Sequence, residues 1–237
     1  MPEYNYNQNN SWSSPYDSTR KAVLNSFMWM FGGLLLTAAT SFLLYQSGFF
    51  LRMLYSMPML SLILAIAQIA LVIGFSAAAN KATAQGMKVL FLLYSVTLGI
   101  SMTSLAYVYN FGSIAIAFAV ASVYFGCLVI IGFTTKRDLT KVGTLMIAGL
   151  IALVITQLVM MLFRINMDTR LISIIGLLLF TGITARDVQR MHKSLYITQN
   201  DSMMQEKMSI YFALELYLDF INIFLYILRL IGNNSRN

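Results

Sequence analysis

Residues 210–231 of the sequence read IYFALELYLDFINIFLYILRLI. The segment is long enough to cross a bilayer as a helix, because a hydrocarbon core of about 30 Å requires roughly 20 apolar residues. Its few polar residues follow helical steps of three and four, and they therefore form one stripe along an otherwise apolar helix: Glu215, Asp219, Asn222, Tyr226 and Arg229.

The two acids in this stripe make membrane insertion of the helix marginal. Its Leu, Ile and Phe residues favour insertion by about 6 kcal/mol in total, whereas each acid near the bilayer centre costs about 2.5 to 3.5 kcal/mol. We therefore predict that the helix lies inside a bundle, with its acids facing another helix or water. Asp219 is the stronger functional candidate, because it has no basic residue within one turn and intramembrane acids are usually functional.

The composition of the whole chain is that of a membrane protein. Hydrophobic residues make up 58% of it and charged residues 11%, which is too apolar for a soluble domain of this size. Seven segments have the length and hydropathy of transmembrane helices: 23–46, 58–79, 87–107, 112–133, 142–163, 171–192 and 210–231. We predict an all-α polytopic protein, with a seven-helix domain over residues 23–237 and a polar, disordered cytoplasmic tail over residues 1–22.

The fourth segment, 112–133, is rich in Gly, Ala and Ser, which allow helix backbones to approach closely in a membrane. We therefore expect it to lie centrally in the bundle, wrapped by the other helices.

The basic residues predict the orientation of the bundle. If the N-terminus is cytoplasmic, the outside loops hold three basic residues, Arg52, Arg164 and Arg170. The inner segments then hold Arg20, Lys21, Lys81, Lys88, Lys136, Arg137, Lys141, Arg186, Arg190, Lys193 and Lys207. This asymmetry favours a cytoplasmic N-terminus. The net charge of +7 is spread over the short gaps between apolar runs rather than clustered on one face, which argues against nucleic-acid binding.

The residue inventory also argues against an enzyme. The only cysteine, Cys127, excludes an intrachain disulfide and is expected to be buried and inert, and the only histidine, His192, excludes an HExxH metal site. There is no GxSxG motif, and neither Asp187 nor Asp219 lies in the Gly-x-Gly-Asp run of intramembrane aspartyl proteases. We predict no enzymatic activity and no bound cofactor.

Asp187, near the inner end of the sixth segment, has several possible partners. At 1.5 Å per residue, Asp187 and Glu215 both lie about 8 Å from the inner helix ends, and Asp219 about 14 Å. Depth thus favours Glu215, although the uncertainty in the helix ends is of similar size. Arg186 and Arg190 on the same helix are alternative partners.

The run LYLDFIN at residues 216–222, followed by LRL at 228–230, resembles the signature of the transmembrane Bax inhibitor motif family, in particular its small bacterial members. Asp187 matches a second landmark of the family, and the resemblance extends from Arg20 onward. It implies a seven-helix bundle with a central final helix, acting as a pH-sensitive calcium leak of a bacterial inner membrane. The resemblance makes Asp187 and Asp219 the pH sensor and transient calcium ligands, and protons and calcium the partners besides the lipid bilayer.

The physical basis of such a sensor is that two carboxylates in one low-dielectric site cannot both ionise at low cost. Glu215 would add a third acid to the ion path. The family also places a basic residue near the inner end of the second helix as a latch. Lys81 is the nearest match, but a lysine cannot make the bidentate contact of an arginine. Further candidates for a latch or supporting role are Arg190, Asn222 and Arg229.

Two alternative hypotheses for the function remain open. The chain could be a non-transporting interaction protein that modulates a membrane protease or a stress response, with its polar N-terminal tail as a degradation handle. A proton-coupled carrier is less favoured, because the sequence shows no convincing internal repeat.

Overall fold

The computed structural model describes residues 15–163 and 168–232, and within these ranges it contains nine helices and no strand. In chain order they are α1 (Pro15–Gln46), α2 (Phe49–Ser56), α3 (Leu60–Lys81), α4 (Ala84–Met102), α5 (Leu105–Val108), α6 (Phe111–Thr134), α7 (Thr140–Leu162), α8 (Thr169–Ile197) and α9 (Ser202–Ile231). Seven helical stretches are long and apolar enough to cross a membrane, with α4 and α5 together forming one of them. The predicted all-α, seven-span architecture is confirmed.

The first helix starts earlier than predicted. α1 begins at Pro15, so residues 15–22, which we assigned to the disordered tail, are helical. Residues 1–14 lie outside the described residues, and the prediction of a disordered tail there remains a prediction.

α8 and α9 both extend beyond their predicted spans of 171–192 and 210–231. The carboxylate of Asp201 accepts a hydrogen bond of 2.9 Å from the backbone N–H of Met204 and thereby caps the start of α9. The added turns are polar. A hydropathy criterion detects only the part of a helix that crosses lipid, and it therefore ends α8 too early and begins α9 too late.

α9 is the central helix of the bundle, as predicted. It packs against α1, α3, α4, α6 and α8, and most of its transmembrane length is buried. Tyr217 shows how tightly it is enclosed: its hydroxyl lies 2.6 Å from Thr37 Oγ1, and Thr37 in turn donates a 2.9 Å hydrogen bond to the carbonyl of Ser95. One α9 side chain thus connects α1 and α4 to the centre of the bundle.

The prediction that the fourth span lies centrally is wrong. α6 packs on one side of α9 and α8, and most of its residues are not buried by the protein. Cys127, which we expected to be buried, is exposed on this helix. The small residue Gly132 allows α6 to approach α8 closely along one face. A Cβ atom placed on Gly132 would lie 2.7 Å from Val188 Cβ and 2.8 Å from the carbonyl oxygen of Ala185.

Two glycines of α6 provide a matched test of this close approach. Gly132→Ala is expected to lower the free energy of unfolding by about 1 to 3 kcal/mol, because the new methyl group overlaps the α8 backbone. Gly126→Ala, on the same helix, meets nothing within 4 Å and should leave stability unchanged or slightly increased. Unfolding of both variants in mixed detergent micelles measures the difference, and equal effects would refute the close α6–α8 contact at Gly132.

Candidate functional site

The predicted acids come together where α8 and α9 run side by side in opposite directions. A short turn at residues 198–201 joins the two helices, and their mutual contact is the most extensive in the described structure. Asp187 of α8 faces both Glu215 and Asp219 of α9, and it interacts electrostatically with each of them. Depth and motif had favoured different partners for Asp187. The structure brings all three carboxylates into one cluster.

Asp187 and Asp219 are both buried, at 7% and 4% exposure. The Thr184 side chain approaches the Asp219 carboxylate, yet Thr184 Oγ1 and Asp219 Oδ2 are each buried without a hydrogen-bond partner among the described residues. Buried polar atoms are normally paired, and exceptions often mark a functional position or an unplaced water. Asp219 is therefore a candidate functional residue of this cluster.

Two arginines of α8 neutralise the other two acids. Arg186 Nη1 lies 3.1 Å from Asp187 Oδ1, and Arg190 Nη2 donates to both carboxylate oxygens of Glu215. The first pair is formed by adjacent residues of one helix, whereas the second pair connects α8 to α9. Of the three carboxylates, Asp219 is the one without an ion pair in the described part of the chain.

Residues that sequence reasoning missed surround this cluster. Thr184 is one of them, and Tyr211 is another, since its hydroxyl interacts with both Glu215 and Arg190. The Arg190 guanidinium also lies over the Phe212 ring, 5.5 Å from its centroid. Helical spacing could have identified both residues, because side chains three or four residues apart lie on the same helix face. Thr184 lies three residues before Asp187, and Tyr211 lies four residues before Glu215.

The remaining predicted residues are not brought to the acids. Asn222 Nδ2 donates a 2.7 Å hydrogen bond to the carbonyl of Leu218 on its own helix. Arg229 is exposed near the other end of α9, and its guanidinium lies 5.7 Å from the Tyr226 ring centroid. Lys81 ends α3, but its side chain lies outside the described residues. Asn222 and Arg229 lie on the same face of α9 as the acids but further along the helix, and the cluster occupies only two of its turns.

The cluster does not form a preorganised metal site. Within residues 15–163 and 168–232, no group of three or more Asp, Glu, His or Cys side chains is placed to hold a metal ion. Calcium in a tight site takes six to eight oxygen ligands. Here the Arg186 and Arg190 guanidiniums already occupy Asp187 and Glu215, so any cation would meet the acids only after these pairs rearrange.

Comparison with known proteins places this arrangement among bacterial membrane proteins. A family model described as "Inhibitor of apoptosis-promoting Bax1" matches residues 19–236 of the chain. The chain is 37% identical over 219 residues to inner membrane protein YbhL of Escherichia coli strain K12, covering 90% of this chain and 94% of the relative. It is also 37% identical over 205 residues to an uncharacterized protein of Borreliella burgdorferi, covering 86% and 88%. An uncharacterized membrane protein of Streptococcus pyogenes serotype M1 is 34% identical over 185 residues, covering 78% and 80%.

The Arg190–Glu215 pair predicts a specific pattern of stability changes. Arg190→Met is expected to lower the free energy of unfolding by about 2 kcal/mol, because it leaves a half-buried carboxylate unpaired. The double variant Arg190→Met/Glu215→Gln should recover most of that loss. Unfolding by sodium dodecyl sulfate in mixed micelles measures both.

The Lys88–Glu206 pair is the matched control. It also connects α9 to another helix, with a Nζ–Oε1 distance of 2.6 Å, but Glu206 is 44% exposed. Lys88→Met is therefore expected to cost less than about 1 kcal/mol. Equal losses for Lys88→Met and Arg190→Met would contradict a special role for the α8–α9 pair.

Proposed function

Because this chain belongs to the family described as inhibitor of apoptosis-promoting Bax1, an integral membrane protein family, we propose that it is a pH-sensitive calcium leak of a bacterial inner membrane. The observation that carries the proposal is the burial of Asp187 and Asp219 together inside the transmembrane bundle. Carboxylates are rarely placed there without a function in transport or proton relay.

Proton binding provides the gate in this proposal. The groups facing the two aspartates are Glu215, Arg186, Arg190 and the hydroxyl of Thr184, with Tyr211 beyond Glu215. Acid that protonates Asp187 removes the negative partner of Arg186, and protonation of Asp219 removes its repulsion of Asp187 and Glu215, so the charges between α8 and α9 rearrange. A packed bundle converts such a local change into two discrete arrangements. We therefore propose that acid opens the path.

The same groups suit calcium passage. At 4% exposure Asp219 is out of reach of an ion in the present arrangement, so conduction requires α8 and α9 to shift. Once they do, carboxylate and hydroxyl oxygens provide the ligands that calcium prefers. Two or three acids bind calcium weakly enough for it to leave again, as a leak requires.

Calcium influx into liposomes tests the leak and its sensor together. Between about pH 8 and about pH 5, influx through the wild-type protein is expected to rise roughly tenfold, the effect of about 1.4 kcal/mol of proton-coupled preference. Asp187→Asn and Asp219→Asn should each lose this pH dependence, because an amide does not titrate.

Asp201→Asn serves as the control variant. It removes an acid from the same two-helix unit, but asparagine caps a helix as well as aspartate does. Its pH profile should match that of the wild type. If the Asp187 and Asp219 variants keep the wild-type profile, the sensor assignment fails. If no flux exceeds that of empty liposomes at any pH, the leak itself is refuted and the interaction-protein reading gains support.

We also propose that the N-terminus is cytoplasmic, as the distribution of basic residues favours. In a Cys127→Ser background, Ser56→Cys lies at the end of α2 and Ser202→Cys lies at the start of α9. A membrane-impermeant thiol reagent added to intact cells should label the first and not the second. The reverse pattern would invert the proposed orientation.

A further inference from the structure

A polar cavity of about 410 Å³ lies beside the acid cluster, where the charged part of α8 meets the connection between α6 and α7. Four of its lining side chains are basic: Lys136, Arg186, Arg190 and Lys193. The other lining residues are Asp138, Thr140 and Gln189. The cavity is therefore a strongly basic recess at the charged end of the span that α8 forms.

Three of the charged side chains around the cavity already have ion-pair or hydrogen-bond partners. Arg186 and Arg190 are paired with Asp187 and Glu215. Asp138 accepts hydrogen bonds from Thr140 N and Oγ1 at 3.0 and 2.6 Å, and these bonds lower the pKa of its carboxyl group.

In the residues that the structure describes, neither Lys136 nor Lys193 forms an ion pair, although Lys193 interacts electrostatically with Asp138. Two lysines are thus available at one opening.

The cavity is held open by specific contacts rather than by a chance arrangement of surface side chains. Gln189 donates to the carbonyls of Thr135 and Arg137 at 3.1 and 2.9 Å, and its Oε1 accepts from Leu139 N at 2.9 Å. One α8 side chain thereby fixes the backbone of the loop that carries Lys136.

On the opposite wall, Gly143 of α7 makes room for Arg186. A Cβ atom placed on Gly143 would lie 2.1 Å from Arg186 Cδ. The aliphatic part of the Arg186 side chain therefore packs against α7, while its guanidinium pairs with Asp187 and lines the cavity.

We propose that this cavity binds a phosphate group, carried either by an anionic lipid headgroup or by a small soluble phosphate compound. Guanidinium groups match phosphate oxygens in a planar fork, and lysines add mobile point charges. Basic recesses between transmembrane helices on the cytoplasmic side are suited to lipid headgroups, and α8 leaves its apolar span at this depth.

Binding at this site would act on the acid cluster, and this consequence rests on the proposed leak. Arg186 and Arg190 line the cavity and also pair with Asp187 and Glu215. A phosphate that draws either guanidinium away leaves a carboxylate unpaired and so favours separation of α8 from α9. The binding step itself is independent of any flux and is tested without it.

The test uses the purified full-length protein in neutral detergent and two probes, short-chain phosphatidylglycerol and inorganic phosphate, titrated by calorimetry. At least one probe is expected to bind in one-to-one stoichiometry. Lys136→Gln/Lys193→Gln should weaken binding by about tenfold or more, from the loss of two cation contacts. Lys21→Gln/Lys207→Gln removes the same charge from outside the cavity and should leave the affinity within about twofold.

The two probes distinguish the source of the phosphate. Binding of phosphatidylglycerol alone assigns the site to a lipid headgroup, and binding of inorganic phosphate with similar or higher affinity assigns it to a soluble compound. If neither probe binds, or if both lysine double variants lose affinity equally, the site is refuted whatever the flux experiment shows. Thermal unfolding of each variant checks that the fold is intact.

Discussion

The placement of three carboxylates between α8 and α9, two of them buried and one half-buried, is the constraint on which the rest of the bundle depends. An apolar helix carrying Glu215 and Asp219 inserts only marginally by itself, so the acids must be kept away from lipid. The fold does this by placing α9 in the middle and packing five other helices around it. Two guanidiniums of α8 then neutralise two of the three acids. The outer helices α3 and α7 are the least buried of the seven spans, as expected for helices that face lipid.

The central position of α9 could be predicted because it follows from an energetic conflict visible in the sequence. Acids four residues apart in an apolar run require a protein environment, whichever helices provide it. The central position expected for α6 failed for the opposite reason. Small residues such as Gly132 indicate that another helix comes close along one line, and they do not reveal how many helices surround the segment.

The partners of the acids could not be predicted from depth along the helices. Arg186 and Arg190 have long side chains that reach across several ångströms, and the true ends of α8 and α9 lie in polar sequence that hydropathy does not detect. Gln189 shows the same difficulty in the loop region. Its three hydrogen bonds to backbone groups depend on where residues 135–139 run, and no spacing rule encodes that path.

The three acids differ in their partners: one pairs within α8, one pairs across the α8–α9 contact, and one has no ion pair among the described residues. Resemblance to the family placed the basic latch on the second span at Lys81; in the described structure Arg190 makes the contact between α8 and α9, with its Nη2 donating to both carboxylate oxygens of Glu215. Asp187 is held by Arg186 of its own helix, so that pair survives any separation of α8 from α9. Asp219 has neither an ion pair nor a partner for its buried Oδ2 among the described residues. The polar part of the α8–α9 contact therefore combines one ion pair between the helices with one carboxylate that has no ion pair among the described residues, and this is the place where the proposed proton gate would act.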